Sequence, residues 1–345
     1  MKQSDIIRWY SRQDVGLAII KSAENKEVAV RLISGGFGKR PNVLQFPKDV
    51  SNFARTGVTS FHISVENWSD PLRLSGESTE HFMRELRESW DLIIDIDCPW
   101  FEYSRKTARL IVEYLKSQGV KNIGVKFSGN KGWHIGIPAE SFPETIFAGK
   151  IKIKKTFPLL LDRILKKIKM DLNDYLNNIN PNYYESNLSE ILRKTGKNKE
   201  EISKNNKINF LKLMDIDLAM ASPRHLIRSP YSLHEKQGLV SIVIDEKDIE
   251  KFDFDDAKPE NIEKLNTFLD RSKSIPNEAK NLFTGIKLDE EETITKKYDF
   301  VKLELNNLLF PPCMKRILNG LEDGRKRALF SLINFYKNFD MDWKD

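Results

Sequence analysis

The strongest constraint in this sequence is a short apolar segment that carries two acids. Residues 91–97 read DLIIDID, so Asp95 and Asp97 stand two positions apart among leucine and isoleucine. Successive side chains of a strand point to opposite faces, so these two carboxylates share one face. Two like charges at the end of an apolar strand repel each other and lose solvation, and a divalent cation removes that conflict. Strand-end acids that cap a helix or face solvent are the alternative.

A second segment repeats this arrangement. Residues 210–220 read FLKLMDIDLAM and predict a strand with Asp215 and Asp217 on one face. A second acidic strand beside the first would complete a two-metal site, whose ions lie about 3.5–4 Å apart and stabilise the attacking and leaving oxygens of phosphoryl transfer. A cap for the next turn is the alternative, because the sequence does not say whether the two strands are neighbours.

Residues 128–134 (SGNKGWH) predict an anion-binding turn between two strands. The glycines allow backbone amides to converge on an anion, Ser128 adds a hydroxyl, and Lys131 and His134 add further donors. The segment is not a Walker P-loop, because its Gly-Lys is followed by tryptophan rather than serine or threonine. A hairpin loop without a ligand is the alternative.

Residues 224–236 (RHLIRSPYSLHEK) form the densest group of donors. Apolar and polar residues alternate around a proline, so Arg228 and His234 can reach inward from either side of the break. Together with Lys131 and His134 they are suited to a triphosphate, for which arginine supplies forked donors and imidazole supplies single ones. A solvated basic loop is the alternative.

Hydrophobic periodicity predicts a mixed α/β fold. The clearest unit is the acidic strand, a helix over 104–118 and a strand over 122–129, whose length predicts a right-handed crossover with parallel pairing. Further strands are predicted over 28–33, 58–68, 133–138 and 238–244, and a helix over 78–90. Residues from about 145 to 209, rich in lysine and asparagine, predict a helical, loop-rich insertion. Beyond Phe252 the pattern becomes helical and acidic.

Cysteine and histidine are too scarce for most metal-binding folds. The two cysteines, Cys98 and Cys313, are far apart, which excludes a disulfide framework and a zinc ribbon or knuckle. None of the five histidines stands in an HExxH or HxxxH spacing. Any metal must therefore be held mainly by carboxylates, which favours Mg²⁺ or Mn²⁺.

The rest of the composition predicts a folded, basic and soluble chain. With 345 residues, of which 40% are apolar, the chain can build real cores in about two domains. A net charge of +6 and a pI of about 9.0 permit a polyanionic partner. The mean hydropathy is −0.48, and no apolar run approaches the roughly 18–20 residues of a membrane span. The N-terminus has no apolar signal region, so a cytoplasmic location without membrane association is expected.

Several other residues are assigned less weight. Residues 37–41 (FGKRP) are a weaker candidate for contact with nucleic acid or phosphate, and a plain surface turn is preferred. Phe61, His62 and Trp68 are assigned to the core, and Cys98 is predicted to be a small core residue.

Taken together, the motifs resemble the catalytic small subunit of archaeo-eukaryotic DNA primases, the prim-pol superfamily. The resemblance rests on the acidic strand with Asp95 and Asp97, the SGxxGxH turn of 128–134, and the acidic strand that runs into the block ending at Lys236, in the family's order. It implies a two-lobed mixed α/β fold with an RRM-like catalytic sheet over residues 1–255, interrupted by the helical insertion of about 145–209.

The resemblance also implies an activity and a set of roles. The family performs template-directed nucleotidyl transfer with two divalent metals, Mg²⁺ or Mn²⁺, on single-stranded DNA template and primer, using NTPs or dNTPs. Carried over, Asp95 and Asp97 bind the metals, with Asp217 or Asp215 as third acid, since either fits after a one-residue shift; we favour Asp217. The triphosphate would be held by Ser128, Lys131, His134, Arg228 and His234. The family often has arginine where this chain has Lys131, and its zinc knuckle is missing here.

Two rival functions remain open on the sequence. A non-catalytic nucleic-acid-binding subunit would use the basic segments without the acids. A metal-dependent nuclease would use the acids but would leave the donors without a triphosphate to hold.

The last segment, 256–345, is predicted to be a helical C-terminal region. Phe310 to Cys313 (FPPC) and Gly324 to Phe330 (GRKRALF) resemble the opening of the iron–sulfur domain of the primase large subunit. One cysteine cannot hold a cluster that needs four thiolates, so a cluster is expected only if the chain is part of a longer fused primase. A helical bundle with a proline start is the alternative. Four cations of this segment could contact template or primer: Lys315, Arg316, Arg325 and Arg327.

Overall fold

The structure, a computed structural model, divides the chain into two compact units, Met1–Lys287 and Leu288–Asp345. It describes residues 1–76, 78–146, 149, 151–153, 161–179, 188–190, 192–194, 196–204, 207–218, 222–286, 311–320 and 328–333. Residues 256–286 lie in the first unit, and the functional division predicted at residue 255 stays a prediction. Within the described residues, no helix is both long and apolar enough to cross a membrane.

The first elements build a small sheet that helices cover. In chain order they are α1 (Gln3–Tyr10), α2 (Gln13–Ala23), β1 (Val28–Leu32), α3 (Pro47–Arg55), β2 (Val58–Ser64), β3 (Glu66–Trp68), α4 (Glu80–Leu86) and β4 (Arg87–Trp90). Strand β2 is buried along its whole length, because the rings of Tyr10 and Phe53 pack on Phe61 from the helical side. β1 and a later strand, Leu226–Arg228, flank β2 in an antiparallel sheet.

The central elements build the sheet that carries the acids. They are β5 (Leu92–Ile96), α5 (Phe101–Ser117), β6 (Gly124–Phe127), β7 (Trp133–Ile137), β8 (Thr145–Ile146), β9 (Ile151–Lys152), α6 (Leu161–Ile179), α7 (Lys199–Ile202), β10 (Ser203–Lys204), β11 (Lys207–Ile208), α8 (Phe210–Leu213), β12 (Ile216–Leu218), β13 (Leu226–Arg228) and β14 (Val243–Ile244). Five strands form one sheet in the order β12-β5-β7-β6-β14, and every neighbouring pair is antiparallel. The mixed α/β class expected from the sequence is confirmed.

The predicted crossover gives the correct relative direction of β5 and β6, which are parallel, but the two strands do not pair with each other. Both strands run antiparallel to β7, so they are parallel to each other, yet β7 lies between them. The reason is the tight turn at 128–132, which folds β7 straight back against β6 and into the position beside β5.

The two faces of this sheet are chemically opposite because strand residues alternate. One face carries Leu92, Ile94, Ile96, Val125, Phe127, Trp133 and Ile135, all buried. Helix α5 packs against this face through its own buried stripe, which includes Ala108, Ile111 and Leu115. The apolar face thus forms a core with α5 and leaves the opposite face free for polar residues.

Several predicted elements are shorter or of another type. The first residues of the predicted strand over 210–220 form the helix Phe210–Leu213 instead, because the Asn209 side chain accepts from the Lys212 amide and caps that helix. The strand itself is Ile216–Leu218, and residues 219 and 220 lie outside the described residues. The predicted helix over 78–90 ends at Leu86, because Arg87 pairs with Trp68 in a strand and its guanidinium binds the buried Glu66 carboxylate at 2.8 Å.

Two further corrections concern the end of the first unit. The strand predicted over 238–244 is confined to Val243–Ile244. The helical pattern predicted after Phe252 is wrong for the described residues up to 286, where short 3₁₀ turns appear instead, at Phe254–Ala257, Pro259–Asn261, Arg271–Lys273 and Lys280–Phe283. The chain here follows the surface of the sheet, and the Phe268 carbonyl lies directly on Gly124.

Parts of the insertion and of the tail lie outside the described residues. Within the insertion, α6 agrees with the helical prediction, while β8 to β11 are short strands that were not expected. In the second unit, helix α9 (Pro312–Leu318) carries Lys315 and Arg316 in its last turn, and Cys313 is a free, exposed thiol. Arg325 and Arg327 lie outside the described residues. The proposed roles of this tail stay predictions.

Gly124 gives a direct test of how the sheet is covered. A Cβ atom at Gly124 would overlap the backbone carbonyl oxygen of Phe268. Gly124→Ala should therefore lower the free energy of unfolding by about 2–3 kcal/mol, because backbone atoms must move apart. Gly76→Ala is the control, since nothing lies within 4 Å of its added Cβ atom. Urea denaturation of both variants checks this, and equal stabilities would contradict the packing.

Candidate active site

A row of four polar residues crosses the sheet on the face opposite α5. The strand register places Asp217 opposite Asp95, Asp95 opposite His134, and His134 opposite Lys126. Residues in register on neighbouring strands share a face, so all four side chains lie on one side of the sheet. The His134 Nε2 atom lies 3.4 Å from Asp95 Oδ1.

The acids at the end of β5 are held in a state that resists ionisation. Burial, and then the neighbouring charge of Asp97, raises the pKa of Asp95 to about 7, although the Lys126 charge opposes the shift. Burial also raises the pKa of Asp97, and the charges of Asp215 and Asp217 add to it. The buried Oδ1 atom of Asp95 accepts no hydrogen bond among the described residues. A divalent cation would relieve this repulsion, so the donor set fits Mg²⁺ or Mn²⁺ in chemical kind.

The acids of β12 lie beside this pair but bind lysines. The Lys169 ammonium lies 2.9 Å from Asp217 Oδ1, and the Lys197 ammonium lies 2.5 Å from Asp215 Oδ1. Asp215 precedes the strand with a φ of 48°, and its carbonyl oxygen accepts from the Asp97 amide at 3.0 Å. Among the described residues, no three His, Cys, Asp or Glu side chains form a ready-made metal site.

The turn over 128–134 connects the acids to the donors through its glycines. Ser128 closes the turn, because its amide donates to the Gly132 carbonyl at 2.9 Å and its hydroxyl accepts from the Gly132 amide at 3.2 Å. Gly129 has a φ of 94°, and a Cβ atom there would lie 3.0 Å from the Cβ atom of His234. A Cβ atom on Gly132 would meet the end of β5. Lys131 is exposed at the tip of the turn.

The donors of the 224–236 block are fixed by their own segment. Arg228 donates to the Leu233 carbonyl at 2.7 Å and pairs with Glu235 at 2.9 Å. The His234 Nδ1 atom accepts from the amides of Lys236 and Gln237 at 3.4 and 3.3 Å. A neutral imidazole that accepts at Nδ1 carries its proton on Nε2, so His234 presents a donor there. Burial, and then the Arg228 charge, lowers the pKa of His234 to about 4.

These segments meet in one cleft of about 540 Å³. Seven of the predicted site residues line it: Asp95, Asp97, Ser128, Lys131, His134, Arg228 and His234. Asp215 and Asp217 are not among its lining residues, although their strand adjoins β5. The cleft therefore combines carboxylates from one segment with anion donors from two others.

Two residues of the site escaped the sequence analysis. His62, assigned to the core, also lines the cleft, because β13 pairs with β2 and places Arg228 opposite His62. Burial and the Arg228 charge lower the pKa of His62 to about 3. Lys126 lies behind the cleft and was overlooked, although a lysine between valine and phenylalanine in a buried strand was a visible signal.

The weaker candidate, residues 37–41, is partly engaged in structure. Arg40 pairs with the buried Glu27 carboxylate at 2.9 Å, and Arg224 pairs with the same carboxylate at 2.5 Å. Phe37 is half-exposed, with its ring at 5.1 Å from that of His62 in an edge-on contact. Cys98 is buried, as predicted for a small core residue.

Comparison with known proteins supports one family. Residues 98–246 match the family model described as the DNA primase small subunit. The match covers less than half of the chain. The archaeo-eukaryotic primase superfamily expected from the motifs is therefore confirmed, and the match begins directly after Asp97.

Two individual proteins are similar to parts of this chain. The uncharacterized protein MJECS07 of Methanocaldococcus jannaschii is 47% identical over 58 residues, which cover 16% of this chain and 13% of that protein. The chain thus matches only a small share of that relative's length. The polymerase domain of Mycobacterium tuberculosis Ligase D, solved in complex with DNA, is 12% identical with a TM-score of 0.46, covering 74% of this chain and 87% of that one.

The raised pKa of Asp95 predicts a pH-dependent stability. In the unfolded chain Asp95 ionises near pH 4, whereas in the metal-free folded chain its pKa is about 7. The folded state binds the proton more tightly, so Asp95 costs stability as the pH rises from about 4 to about 7. In EDTA, Asp95→Asn should be about 2–4 kcal/mol more stable than the parent at pH 8, with no difference near pH 4. Denaturation at both pH values checks this; an Asn variant less stable than the parent at pH 8 would contradict it.

Two buried lysines form a matched pair for a second test. Lys26 binds the Asp91 carboxylate at 2.8 Å, whereas Lys126 donates to the Ser241 hydroxyl at 2.8 Å and has no carboxylate within ion-pair distance among the described residues. Lys26→Met should cost about 3 kcal/mol because it breaks a buried pair, and Lys126→Met should cost less than about 1 kcal/mol or stabilise the fold. Urea unfolding at pH 7 compares them. Equal losses of unfolding free energy in the two variants would mean that Lys126 serves only to stabilise the fold.

Proposed function

We propose that this chain is a DNA primase-polymerase that joins NTPs or dNTPs on a single-stranded DNA template with release of pyrophosphate. The observation that carries the proposal is the composition of the cleft. Acids from one segment and donors from two others line a cleft of about 540 Å³, a volume suited to a small ligand. A nucleoside triphosphate needs both, since its phosphates require cations and donors while its reaction requires metal-binding acids.

The carboxylates form the part of the site that would hold Mg²⁺ or Mn²⁺. Asp95 and Asp97 share one face at the end of β5, and Asp217 lies opposite Asp95, which favours it over Asp215 as the third acid. When bound, divalent cations would neutralise the phosphate charge and increase the acidity of the attacking 3′-hydroxyl. The chain's own contribution is to hold the acids together against their repulsion, through the packing of β5 between β12 and β7.

The donors form the part of the site that would hold the triphosphate. Arg228 supplies a guanidinium charge at the wall of the cleft, with its two terminal nitrogens bound to the Leu233 carbonyl and to Glu235. His234 presents an Nε2–H group. Lys131 adds an exposed ammonium group that can move toward the phosphates. Burial lowers the pKa of His134 well below its usual value, so His134 acts as a neutral donor beside Asp95 rather than as a cation.

The expected macromolecular partners are a single-stranded template and a primer. The helical tail, with Lys315 and Arg316, would contact the strand or a large-subunit-like domain. A nuclease would explain the acids but not the donors, and a non-catalytic subunit would explain neither the shared face of the acids nor their raised pKa values.

A primer-extension assay tests the proposal. Purified protein, labelled nucleotides, a primed single-stranded template and Mg²⁺ or Mn²⁺ should yield longer primers and pyrophosphate. Asp95→Ala with Asp97→Ala should lower the rate by at least about 100-fold, because the acids would no longer hold the metal. Arg228→Ala should act mainly by weakening nucleotide binding and transition-state contacts, by about 100-fold in kcat/KM.

The control variant is Asp245→Asn. Asp245 follows β14 at the exposed edge of the sheet and pairs with Lys247 at 3.3 Å, so extension should be unchanged. Normal extension by the double alanine variant would overturn the assignment. Strand cleavage instead of extension would establish a nuclease, and template binding without incorporation would establish a non-catalytic subunit.

A further inference from the structure

The helical insertion brings two lysines onto the acids of β12. Lys169 projects from α6 to Asp217, and Lys197 precedes α7 and reaches Asp215. Both acids adjoin the pair at the end of β5, one through the strand register and one through the hydrogen bond from the Asp97 amide. The insertion therefore supplies positive charge at the edge of the cleft where acids accumulate.

Both lysines are held in position by the surrounding structure. Helix α6 is anchored by Ile164, Ile168 and Leu172, which are fully buried, so the backbone of Lys169 is fixed relative to the sheet. The Lys197 ammonium also donates to the Leu213 carbonyl at 3.5 Å and to the Lys212 carbonyl, so it is held at the end of α8. Each ammonium group is thus positioned before any substrate arrives.

Both ion pairs can nevertheless exchange partners. The side chains of Asp217 and Asp215 are 67% and 46% exposed, and those of Lys169 and Lys197 are 36% and 24% exposed. Ion pairs that remain in contact with water contribute little free energy and are easily replaced. A lone pair that accepts from an ammonium group is not available to a cation, so each lysine competes with a metal ion for one position on its carboxylate.

We propose that Lys169 and Lys197 are exchangeable counter-ions of the acid cluster, released when a divalent cation binds and then bound by phosphates of the nucleic-acid backbone. This inference rests on the proposed function for the identity of its second ligand. The phosphodiester strand is the anion that the proposed reaction brings next to these acids, and an ammonium group binds it as a point charge. Metal and nucleic acid then strengthen each other's binding through the same two lysines.

The first test measures metal binding alone, without nucleotide, nucleic acid or turnover. The free Mn²⁺ signal in electron paramagnetic resonance gives the dissociation constant for the full chain. Lys169→Met and Lys197→Met should each bind Mn²⁺ about threefold to fivefold more tightly, because a competing ammonium group is gone. Lys166→Met is the matched control, since Lys166 is exposed on the same helix without a carboxylate partner in the described part of the chain. Unchanged or weaker Mn²⁺ binding by both variants would overturn the proposal.

The second test measures the coupling to nucleic acid. Fluorescence anisotropy of a labelled primer–template is recorded with EDTA and with Ca²⁺, over a series of salt concentrations. With Ca²⁺, each lysine variant should lose about one unit of the slope of log K against log salt, whereas with EDTA the slope should stay that of the parent chain. Lys166→Met should change this slope by the same amount with Ca²⁺ and with EDTA. Equal loss of slope with and without the cation would show constitutive phosphate contacts and would overturn the exchange.

The two proposals can fail separately. If Mn²⁺ binding tightens in the lysine variants while no nucleotide is incorporated by the parent chain, the exchange stands and the polymerase assignment falls. If the parent chain extends primers while Mn²⁺ binding is unaffected by both lysine variants, the assignment stands and the exchange falls.

Discussion

One face of the five-stranded sheet holds the carboxylates of Asp95, Asp97 and Asp217 close together against their mutual repulsion, and the candidate site depends on this constraint. The apolar face packs on α5 and fixes the position of β5, so the backbone holds Asp95 beside its acidic neighbours at the wall of the cleft. The row Asp217, Asp95, His134 and Lys126 follows directly from antiparallel register, with an acid at one end and a lysine at the other. A sheet of this kind stores unfavourable electrostatic energy in the absence of a cation, which is typical of sites that recruit one.

The donor side is fixed by a different interaction. The fully buried Glu27 carboxylate binds both Arg40 and Arg224, and so ties the start of the 224–236 block to the three-stranded sheet. Strand β13 then follows β2, which places Arg228 beside His62 at the wall of the cleft. The five-stranded sheet thus carries the acids together with the donors of 128–134, while Arg228 comes from the three-stranded sheet, and residues of both sheets line the cleft.

Much of the site could be predicted because it depends on local pattern. Alternation along a strand puts Asp95 and Asp97 on one face wherever the strand goes, and the glycines of 128–134 predict a tight turn regardless of partners. The mixed α/β class followed from the same periodicity. The primase superfamily followed from the order of the motifs, which no single motif would have supported.

The rest depends on contacts between distant segments. The position of β7 between β5 and β6 depends on which neighbour a hairpin meets, and periodicity does not encode it. His62 seemed a core residue because its strand is buried, and only the pairing with β13 reveals its second role. The lysine partners of Asp215 and Asp217 come from an insertion whose lysine content resembled mere compositional bias. The helical periodicity after Phe252 predicted helices that do not form in residues 253–286, because this segment packs along the surface of the sheet.

The approach of Gly129 to His234 joins two motifs that are about a hundred residues apart in the sequence. Only a hydrogen atom on Gly129 allows the Cβ atom of His234 to lie at this distance, so the turn and the histidine-bearing loop form one mechanical piece. A side chain added at Gly129 would therefore displace the loop that carries His234. Transplanting the turn alone into another domain would carry its glycines but not the contact with His234.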